Sequence, residues 1–468
     1  MTNQRIAIIG AGPAGLAAAD RLVHQNAEVI LLEREKEVGG ISKTVRHKGF
    51  CFDLGMHRYF TKSDVVNQLW SRTLGRNFIT RDRLTRIYYR NRFFDYPIKP
   101  FNALRGLGFI ESMRVIGSYA WSRFFPFSNE KTFEEWVSNR FGHRLYLHFF
   151  KSYTEKVWGI PAHEIQAEWA AQRIKSLSVT ALIKNAFFPH RNTVKTLIDS
   201  FQYPIDGSGM MYEQIASNVQ NTNVQLKLNA EVVEIQHCEG LIQSVITADP
   251  SAQKTEWRVN WLLSSMPLTD LVFCLSPKAP DSVVAAAKQL KYRSFISVSI
   301  ILKSDVLFPD TWLYVHCPDV RLGRIQNVWK NSSMESNRGM VALGLEYFCM
   351  EGDQFWNKPD AELIEIGLAE LEQIGLGRKN TFVDGFVIRV PKAYPVYDGD
   401  YPKNIQIVRS YIDTFLNLQP MGRYGMFKYN NMDHSILTGI YAAEKALGDR
   451  TRNIWEVNTD QDYHEEQK

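Results

Sequence analysis

A glycine-rich turn near the start of the chain places the strongest constraint on its fold. Gly10, Gly12 and Gly15 form a GxGxxG pattern between the apolar segment 5–9 and the alanine-rich segment 16–24. The first segment predicts a short buried strand, and the second predicts a helix. In such a unit the first glycine permits the tight turn, the second lets a pyrophosphate approach the backbone, and the third lets helix and strand pack closely. The turn therefore predicts a dinucleotide-binding fold.

An acidic residue completes this unit. Segment 28–33 predicts a second strand that ends at Glu33, 18 residues after Gly15. A carboxylate at this position is placed to accept the hydroxyls of an adenosine ribose, and it would repel a 2′-phosphate. The N–H groups at the start of the helix would face the diphosphate. The unit is therefore expected to bind FAD or NAD rather than NADP.

A second glycine pair, Gly39 and Gly40, follows the acidic strand end and offers another close approach to the backbone. Such an approach suits the longer FAD molecule, which lies extended across the turn. The pair is typical of the glutathione-reductase-like flavoproteins, and the chain resembles them here. We therefore expect FAD as the cofactor, with NAD(P)H as a candidate reductant.

Composition sets the outer limits. The 468 residues are 45% hydrophobic and 22% charged, which allows a large core and roughly three domain-sized units. The apolar start runs into the glycine turn rather than a cleavage site, and no run of about 18 apolar residues occurs, so we expect a cytoplasmic protein. A net charge of +5 is too small to indicate nucleic acid. The five cysteines are scattered without a CxxC pair, so neither a disulfide framework nor a metal site is predicted.

Two segments combine basic and aromatic residues. Arginines are concentrated between residues 72 and 92, together with aromatic residues between 88 and 94. A solvated face is the simplest interpretation, and an anionic ligand or an acidic membrane surface are the alternatives. The second segment could contact a lipid surface at the periphery of a membrane; it contains Arg114, Trp121, Arg123, Phe124, Phe125 and Phe127.

Further motifs, in the same order along the chain, resemble those of the UDP-galactopyranose mutases. They are Phe52-Asp53-Leu54-Gly55-Met56-His57, the segment from Lys156 to Ile174, the segment from Tyr203 to Gly209, Gly323-Arg324-Ile325-Gln326-Asn327, and the segment from Gly422 to Ser435. In the first of these motifs, Met56 stands where the loop of the mutases has its second glycine. The resemblance covers nearly the whole chain. Protoporphyrinogen oxidases, amine oxidases and carotenoid desaturases are neighbouring families that share the FAD half.

The resemblance implies roles for individual residues. His57 would contact the isoalloxazine, and Arg173 and Arg324 would clamp a diphosphate, so these three are the catalytic candidates. The candidates for substrate binding are Trp158, Asn327 and Tyr429. The candidates for cofactor binding are Gly10, Gly12, Pro13, Ala14, Gly15, Glu33, Arg34, Gly39, Gly40, Ser42, His57, Val233, Arg423, Asn431, Met432, Asp433 and Ser435.

The reaction implied by the resemblance is pyranose–furanose isomerisation of a nucleotide-diphosphate sugar, with N5 of the reduced flavin as the nucleophile. Two other functions stay open. One is an FAD-dependent oxidoreductase similar to the amine oxidases, desaturases or protoporphyrinogen oxidases. The other is a membrane-associated module that binds flavin without catalysis. Glu346 follows an apolar strand, where a lone carboxylate is usually structural, although it could act as a general base.

The expected fold class is α/β, with a glutathione-reductase-like FAD-binding Rossmann domain interleaved with a mixed α+β substrate domain. The FAD-binding parts are expected at 1–85, 201–290 and 401–457, the last with the closing helix. A mostly helical substrate or cap region is expected at 86–200, a substrate-domain sheet at 291–400, and a polar tail at 458–468.

Several local predictions accompany this plan. Residues 256–265 are predicted to form strands, 403–408 is predicted to form a strand, and 359–374 is predicted to form an amphipathic helix. The closing helix is expected over 433–447, capped by Asp433. Asp433, His434 and Ser435 are not expected to form a hydrolase relay, because consecutive residues on a helix do not face one another.

Overall fold

A computed structural model describes residues 4–55, 57, 59–96, 98, 100–167, 200–220, 222–304, 308–328 and 339–458. The predicted catalytic residue Arg173 lies outside the described residues, as does the predicted polar tail beyond Asn458.

The helices of the described residues are distributed along the whole chain. They are α1 (Pro13–Leu22), α2 (Asp64–Leu74), α3 (Pro100–Leu107), α4 (Phe109–Phe124), α5 (Phe133–Phe141), α6 (His143–Tyr146), α7 (Ser152–Trp158), α8 (Gly209–Gln220), α9 (Leu268–Phe273), α10 (Asp281–Gln289), α11 (Asp360–Gln373), α12 (Tyr401–Ile412), α13 (Gly422–Gly425) and α14 (Met432–Ala446).

The strands of the described residues lie between Gln4 and Pro420. They are β1 (Gln4–Ile9), β2 (Ala27–Leu32), β3 (Thr44–His47), β4 (Phe50–Asp53), β5 (Phe78–Asp82), β6 (Thr85–Tyr89), β7 (Arg92–Asp95), β8 (Ser200–Pro204), β9 (Val224–Lys227), β10 (Glu231–Cys238), β11 (Leu241–Ala248), β12 (Lys254–Arg258), β13 (Trp261–Ser264), β14 (Leu275–Ser276), β15 (Tyr292–Lys303), β16 (Trp312–Val315), β17 (Arg324–Val328), β18 (Met340–Cys349), β19 (Phe382–Pro395) and β20 (Leu418–Pro420).

A five-stranded parallel sheet carries the glycine turn. Its strand order is β20-β13-β1-β2-β9, and every neighbouring pair is parallel. The central strand β1 has no exposed apolar side chain, because helices cover both faces of a parallel sheet. The strands come from four separate parts of the chain. The sheet therefore confirms that the FAD-binding fold is interleaved with the rest of the molecule.

Helix α14 brings the last part of the chain against α1. A Cβ added to Gly439 of α14 would lie 2.0 Å from the carbonyl oxygen of Ala14, and one added to Gly422 would lie 3.0 Å from the Cβ of Ala14. The two helices consequently pack with their backbones in contact, which only glycine allows at these positions. This packing places the start of α14 close to the glycine turn.

A seven-stranded mixed sheet forms the second large layer. Its strand order is β19-β15-β18-β17-β16-β6-β7, and among the described pairs only β16 and β6 run parallel. Helix α11 covers one face through Leu363, Leu368 and Leu371, which are buried. On the other face, Phe50 and Phe52 of β4 pack against Val328 and Ile301. The sheet therefore turns this second face toward the FAD-binding part of the chain.

A helical region, α3 to α7, lies beside the hairpin of β6 and β7. Its core is aromatic, with Phe94, Phe133, Trp136, Tyr146 and Phe149 buried together. Burying large rings contributes most of the apolar area of such a cluster. Within the described residues, no helix has both the length and the apolar character needed to cross a bilayer.

One predicted strand is wrong. Residues 403–408 belong to helix α12, in which Asn404, Val408 and Ile412 are buried at the four-residue spacing of a helix face. Segment 256–265 is strand as predicted, and it contributes to β12 and β13, which belong to different sheets.

The arginine-rich segment is only partly a solvated face. Arg86 makes two hydrogen bonds, of 2.7 and 2.6 Å, to the fully buried carboxylate of Asp310. The aromatic residues Tyr88, Tyr89 and Phe94 are buried in β6 and β7. The exposed arginines of this hairpin, Arg90 and Arg92, lie at its turn and at the first residue of β7.

Candidate active site

The glycine turn is held by hydrogen bonds to the neighbouring strand. The backbone N–H of Gly10 donates to the carbonyl of Leu32 at 2.8 Å, and that of Gly39 donates to the carbonyl of Ala11 at 2.8 Å. A Cβ added to Gly15 would lie 1.8 Å from the carbonyl oxygen of Gly10. No side chain fits there, so the turn keeps the shape that brings the start of α1 to the end of β1.

The two glycine motifs face each other across a bare strip of backbone. A Cβ at Gly12 would lie 3.8 Å from the Cα of Gly40, and one at Gly40 would lie 3.3 Å from the Cα of Gly12. The N–H groups of Ala14 and Gly15 lie in the first turn of α1, where no carbonyl of the helix pairs with them. Together these groups offer an anion a positive helix end without intervening side chains.

Glu33 occupies the position expected for a ribose-binding acid. Its Oε2 accepts from the N–H of Ala11 at 2.6 Å, and its Oε1 accepts from the N–H of Glu35 at 3.0 Å. Burial raises the pKa of Glu33, while these two backbone hydrogen bonds act in the opposite direction. Each oxygen accepts one bond in the protein and retains a lone pair for a hydroxyl of a ligand.

The N-terminus of α14 forms a second helix start near this turn. Asn431, not Asp433, is the N-cap: the N–H of Asn431 donates to Nδ1 of His434 at 3.2 Å, and the Asn431 side chain accepts in return from the backbone of the first turn. The expectation that Asp433 caps the helix is therefore wrong, since Asp433 lies inside the first turn. Its Oδ2 accepts from Thr61 Oγ1 at 3.0 Å.

The remaining cofactor candidates are spread around the turn. Pro13 begins α1, and Ser42 is buried in the short turn after Gly40. Arg34 is exposed and pairs with Glu35 at 3.4 Å. Val233 lies on β10 with 37% of its surface exposed.

At the start of α14, Met432 and Ser435 are both buried. Met432 Sδ accepts from Ser208 Oγ at 3.7 Å, and the Ser435 carbonyl accepts from Thr438 Oγ1 at 2.7 Å.

His57 connects the FAD-binding part to the sheet side of the site. Its Nε2 donates to the carbonyl of Ile41 at 2.9 Å. Burial lowers the pKa of His57 to about 4, with the charge of Arg423 acting in the same direction. The ring is therefore neutral near pH 7, and it serves as a hydrogen-bonding group rather than as a cation.

Arg324 is enclosed by aromatic rings on the sheet face. Its Nε donates to Tyr153 Oη at 2.5 Å, and its Nη1 contacts Tyr394 Oη at 3.1 Å and Glu346 Oε2 at 3.3 Å. The guanidinium carbon lies 4.8 Å from the centre of the Phe348 ring. A guanidinium held between rings and one carboxylate is oriented by cation–π and charge-assisted contacts.

Tyr394 joins the predicted residues into one cluster. Its ring stacks on Tyr429 with centroids 5.6 Å apart at 28°, and it meets Trp158 edge-on at 6.4 Å. The guanidinium of Arg423 lies 4.7 Å from the Tyr394 ring and 4.1 Å from the Tyr429 ring. With the Arg324 contact, Trp158, Arg324, Arg423 and Tyr429 all converge on a tyrosine of β19 that the sequence analysis did not identify.

Asn327 does not lie in this cluster. Side chains of a strand alternate between faces, so residues three apart point in opposite directions. Arg324 shares its face with Trp312 and Tyr314 of β16, whereas Asn327 Nδ2 donates to the carbonyl of Phe308 at 3.2 Å. The residue of that motif on the Arg324 face is Gln326, which is buried.

Glu346 lies opposite Arg324 on the adjacent strand and is 2% exposed. Burial raises the pKa of Glu346, although the Arg324 charge acts to lower it. Its Oε1 has no hydrogen-bond partner among the described residues and would lie 3.4 Å from a Cβ added to Gly55. The carboxylate therefore pairs through one oxygen and turns the other toward the loop that carries His57.

Asp53 belongs to the first of the motifs quoted from the sequence, but it was given no role there. It accepts hydrogen bonds from Thr44 Oγ1 at 2.5 Å, from the N–H of Ser208 at 3.1 Å and from Tyr203 Oη. Burial raises the pKa of Asp53 to about 6. This carboxylate fixes the turn at Gly207, where the chain returns to the FAD-binding fold. Its position directly before the His57 loop was the signal available in the sequence.

The fold and the site define a flavin-dependent enzyme. The chain matches the family described as "flavin containing amine oxidoreductase" over residues 13–403, and it belongs to that family. The bare glycine strip, the two helix N-termini and the carboxylate of Glu33 fit FAD. FAD is therefore the cofactor, and residues around the glycine turn would hold it.

Two solved structures share the fold. A reduced UDP-galactopyranose mutase has a TM-score of 0.83 and 20% identity, over 98% of this chain and 97% of the mutase chain. A protein from Exiguobacterium sp. 255-15, named as a protoporphyrinogen oxidase, has a TM-score of 0.71 and 18% identity, over 95% and 99% of the two chains. At these identities the likeness establishes the fold alone.

A sequence relative matches only over a short segment. The 4,4′-diapophytoene desaturase (4,4′-diaponeurosporene-forming) of Staphylococcus aureus strain COL is 47% identical over 51 residues. That segment is 11% of this chain and 10% of the desaturase.

Proposed function

We propose that this flavoenzyme isomerises a nucleotide-diphosphate sugar between its pyranose and furanose forms. The observation that carries the proposal is the convergence of Trp158, Arg324, Arg423 and Tyr429 on Tyr394. These residues come from three distant segments, and each was singled out by its resemblance to a mutase motif. The likeness to a mutase fold over nearly the whole chain adds support.

The charge of the cluster suits a diphosphate. Two guanidinium groups, Arg324 and Arg423, lie around Tyr394, and Glu346 is the carboxylate hydrogen-bonded to Arg324. The hydrogen bonds of Arg423 go to the carbonyls of Ala393 and Asn430, which carry no net charge. The cluster thus has an excess of positive charge, and arginine forks bind phosphate oxygens well.

The aromatic residues would position the remainder of the substrate. Trp158 presents a flat apolar ring to a sugar or a base, and Tyr429 adds a hydroxyl next to the guanidinium of Arg423. Arg173, which lies outside the described residues, is proposed as the second diphosphate clamp. When bound and reduced, FAD supplies a nucleophile at N5, and the neutral His57 would hold the flavin edge.

Anaerobic turnover tests the proposal. The purified protein is reduced with dithionite under argon and offered nucleotide-diphosphate sugars, and the products are separated by chromatography. We expect a furanose isomer to accumulate while the flavin stays reduced, and we expect no product with oxidised flavin. Absence of a furanose from every nucleotide sugar offered to the reduced, flavin-loaded protein would contradict the proposal.

Matched variants separate substrate binding from flavin binding. Arg324→Lys keeps the charge but loses the fork, so we expect KM for the nucleotide sugar to rise at least about tenfold. Arg258→Lys, on an exposed arginine of β12, should leave KM unchanged. The flavin spectrum should be the same in both variants, because neither residue lies at the glycine turn.

An oxidoreductase is the second candidate, favoured by the family and by the aromatic rings around Arg324. Phe348, Trp312 and Tyr314 give this face an apolar wall that could hold an amine or a lipid next to the flavin. The same apparatus distinguishes the two functions. An oxidoreductase would bleach its oxidised flavin when a substrate of this kind is added, and it would consume an electron acceptor in proportion to product.

A further inference from the structure

Helix α4 has its amphipathic pattern reversed with respect to the protein. Ser112, Val115 and Ser122 face inward and are buried. The large apolar side chains of the helix face outward: Phe109 is 81% exposed, Ile110 70%, Met113 55%, Ile116 49%, Trp121 66% and Phe124 79%. A helix on the surface of a protein in water normally turns its apolar stripe toward the core. This helix instead leaves that stripe uncovered.

The stripe continues beyond the helix. Phe125 and Phe127 are 63% and 52% exposed, and the rings of Trp121 and Phe125 lie 4.4 Å apart. Elsewhere among the described residues, large exposed apolar side chains such as Leu416 and Phe273 occur on separate elements. A contiguous apolar patch marks a contact surface, whereas scattered apolar residues do not.

The charged residues of α4 indicate which kind of partner this apolar surface would contact. Arg114 and Arg123 are exposed on the helix, at opposite edges of the apolar stripe. Glu111, the acidic residue of α4, turns inward to Arg144 and His148 and is 14% exposed at its side chain. The contact between Arg114 Nη1 and Glu111 Oε2 is long, at 3.4 Å. The outward side of the helix therefore combines apolar rings with two cations and no outward carboxylate.

We propose that α4 and the turn after it, residues 109–127, dock the protein on a membrane surface that contains anionic lipids. The helix would lie in the plane of the interface with its apolar rings in the acyl boundary. Arg114 and Arg123 would extend their stems along the apolar layer and place their guanidinium groups at lipid phosphates. Trp121 suits the same depth, because tryptophan is enriched at membrane interfaces.

The charge pattern favours a membrane over a second copy of this chain. In a two-fold contact across this face, Arg114 and Arg123 of both copies would approach one another, and α4 offers no outward carboxylate to offset them. Anionic lipids supply that charge along the entire helix. Docking at α4 does not depend on the proposed reaction, since no residue of α4 contacts Tyr394 or the glycine turn among the hydrogen bonds and ring contacts described above.

Vesicle sedimentation of the full, FAD-loaded protein tests the proposal. The vesicles are made of phosphatidylcholine alone or of phosphatidylcholine with phosphatidylglycerol. We expect the protein to sediment with the anionic vesicles and to be released as NaCl is raised, because salt screens the arginine–phosphate attraction. Replacing Phe109→Ser and Phe124→Ser together should lower the partition coefficient at least about tenfold. Replacing Arg114→Glu and Arg123→Glu together should remove the preference for anionic vesicles.

Two control variants match these changes elsewhere on the surface. Leu416→Ser removes an apolar side chain that is 67% exposed, and Arg258→Glu reverses an exposed charge. Both should bind vesicles like the unchanged protein, and all variants should keep the flavin spectrum and Tm.

Two outcomes would overturn the proposal. One is an unchanged protein that stays in the supernatant with both kinds of vesicle. The other is a dimer in sedimentation velocity that becomes monomeric on Phe109→Ser and Phe124→Ser and does not bind vesicles.

Discussion

The glycine turn presents bare backbone to its ligand, whereas the seven-stranded sheet presents side chains. At the turn, Gly12 and Gly40 face each other, and a Cβ on either would fill the strip between them. At the sheet, the ring of Tyr394 and the guanidinium group of Arg324 form the surface, and Tyr429 and Arg423 pack against Tyr394 from the segment before α14. The backbone surface at the glycine turn has no side chain that a substitution could exchange. The side-chain surface around Tyr394 can be altered one residue at a time without a change in the backbone.

This difference determines how each part responds to substitution. An extra atom at Gly15 collides with the backbone that joins β1 to α1, so cofactor binding and folding fail together. A missing group at the sheet removes one contact among several. We therefore expect substitutions at the turn to act all-or-none, and substitutions in the Tyr394 cluster to have graded effects.

The largest effect is expected for Gly15→Ala. The added Cβ would lie 1.8 Å from the carbonyl oxygen of Gly10, so α1 cannot remain packed on β1. We expect loss of bound FAD and failure to accumulate as folded protein, measured by flavin absorbance and by thermal unfolding.

The matched control is Gly117→Ala in α4, which has no atom within 4 Å of the new Cβ. That change should stabilise the helix by about 0.5–1 kcal/mol, because alanine favours helices more than glycine does. A Gly15→Ala protein with a normal Tm and full flavin would refute the all-or-none behaviour of the turn.

The next effect is expected for Arg324→Ala, which leaves the buried Glu346 without its cation. Breaking one side of a buried ion pair costs about 3–5 kcal/mol in the free energy of unfolding. This loss of unfolding free energy should become smaller as pH falls. The loss of Arg324 raises the pKa of Glu346 further, so the folded protein takes up a proton on Glu346 as pH falls. Urea unfolding at two pH values measures both effects.

Adding Glu346→Gln to Arg324→Ala should restore part of the stability, since the double variant leaves no unpaired charge. Arg258→Ala, on an exposed arginine, should change the free energy of unfolding by less than about 0.5 kcal/mol. If the single Arg324→Ala variant were as stable as this control, the buried pair would have no structural role.

The contrast between the two parts also explains what the sequence could predict. Gly10, Gly12, Gly15 and Glu33 lie within one short unit, so local spacing is enough to assign their geometry. Tyr394 lies on β19. Gly385 and Pro391 interrupt the sequence of this strand, so the alternation of apolar and polar residues that would predict a strand is not apparent. Its neighbours in the cluster lie at least 29 residues away in the sequence, and the pairing of β15 with β19 places it in the same sheet as Arg324.

Three features of the structure have local signals that the sequence contains. Arg324 and Asn327 are three residues apart on a strand, so a strict period of two already separates them onto opposite faces. Segment 403–408 has apolar residues at positions that fit either period, but Pro402 marks the first turn of a helix. Asn431 as the cap of α14 also follows from its place before the helix.

A smaller effect on the free energy of unfolding is expected from the protonation of His57 as pH changes. His57 connects the FAD-binding part of the chain with the sheet. Burial lowers its pKa from 6.5 to about 4, so the unfolded chain binds a proton that the folded protein refuses. Stability from this ring is therefore complete above pH 6.5 and is lost as pH falls toward 4. Allowing for partial solvent access, we expect its contribution to fall by roughly 2 kcal/mol across that range.

The measurement compares the unchanged protein with His57→Gln, which keeps a side-chain N–H near the carbonyl of Ile41 but does not titrate. The difference in free energy of unfolding between the two proteins should change with pH between 6.5 and 4 and stay constant above 6.5. Parallel curves throughout that range would show that His57 titrates normally in the folded protein.

The smallest effect is expected for Tyr394→Phe, although this residue is the centre of the cluster. The change removes the hydroxyl that contacts Arg324 Nη1 at 3.1 Å and keeps the ring that stacks on Tyr429. Arg324 retains Tyr153 and Glu346 as partners, so no buried charge is left unpaired. We expect a loss of about 1 kcal/mol in the free energy of unfolding and no loss of FAD.

The control is Tyr411→Phe. The Tyr411 ring lies against Phe415 outside the site, so this change should cost less than about 0.5 kcal/mol in the free energy of unfolding. Loss of flavin on Tyr394→Phe would mean that the side-chain surface and the backbone surface are coupled, and the division between graded and all-or-none behaviour would then fail.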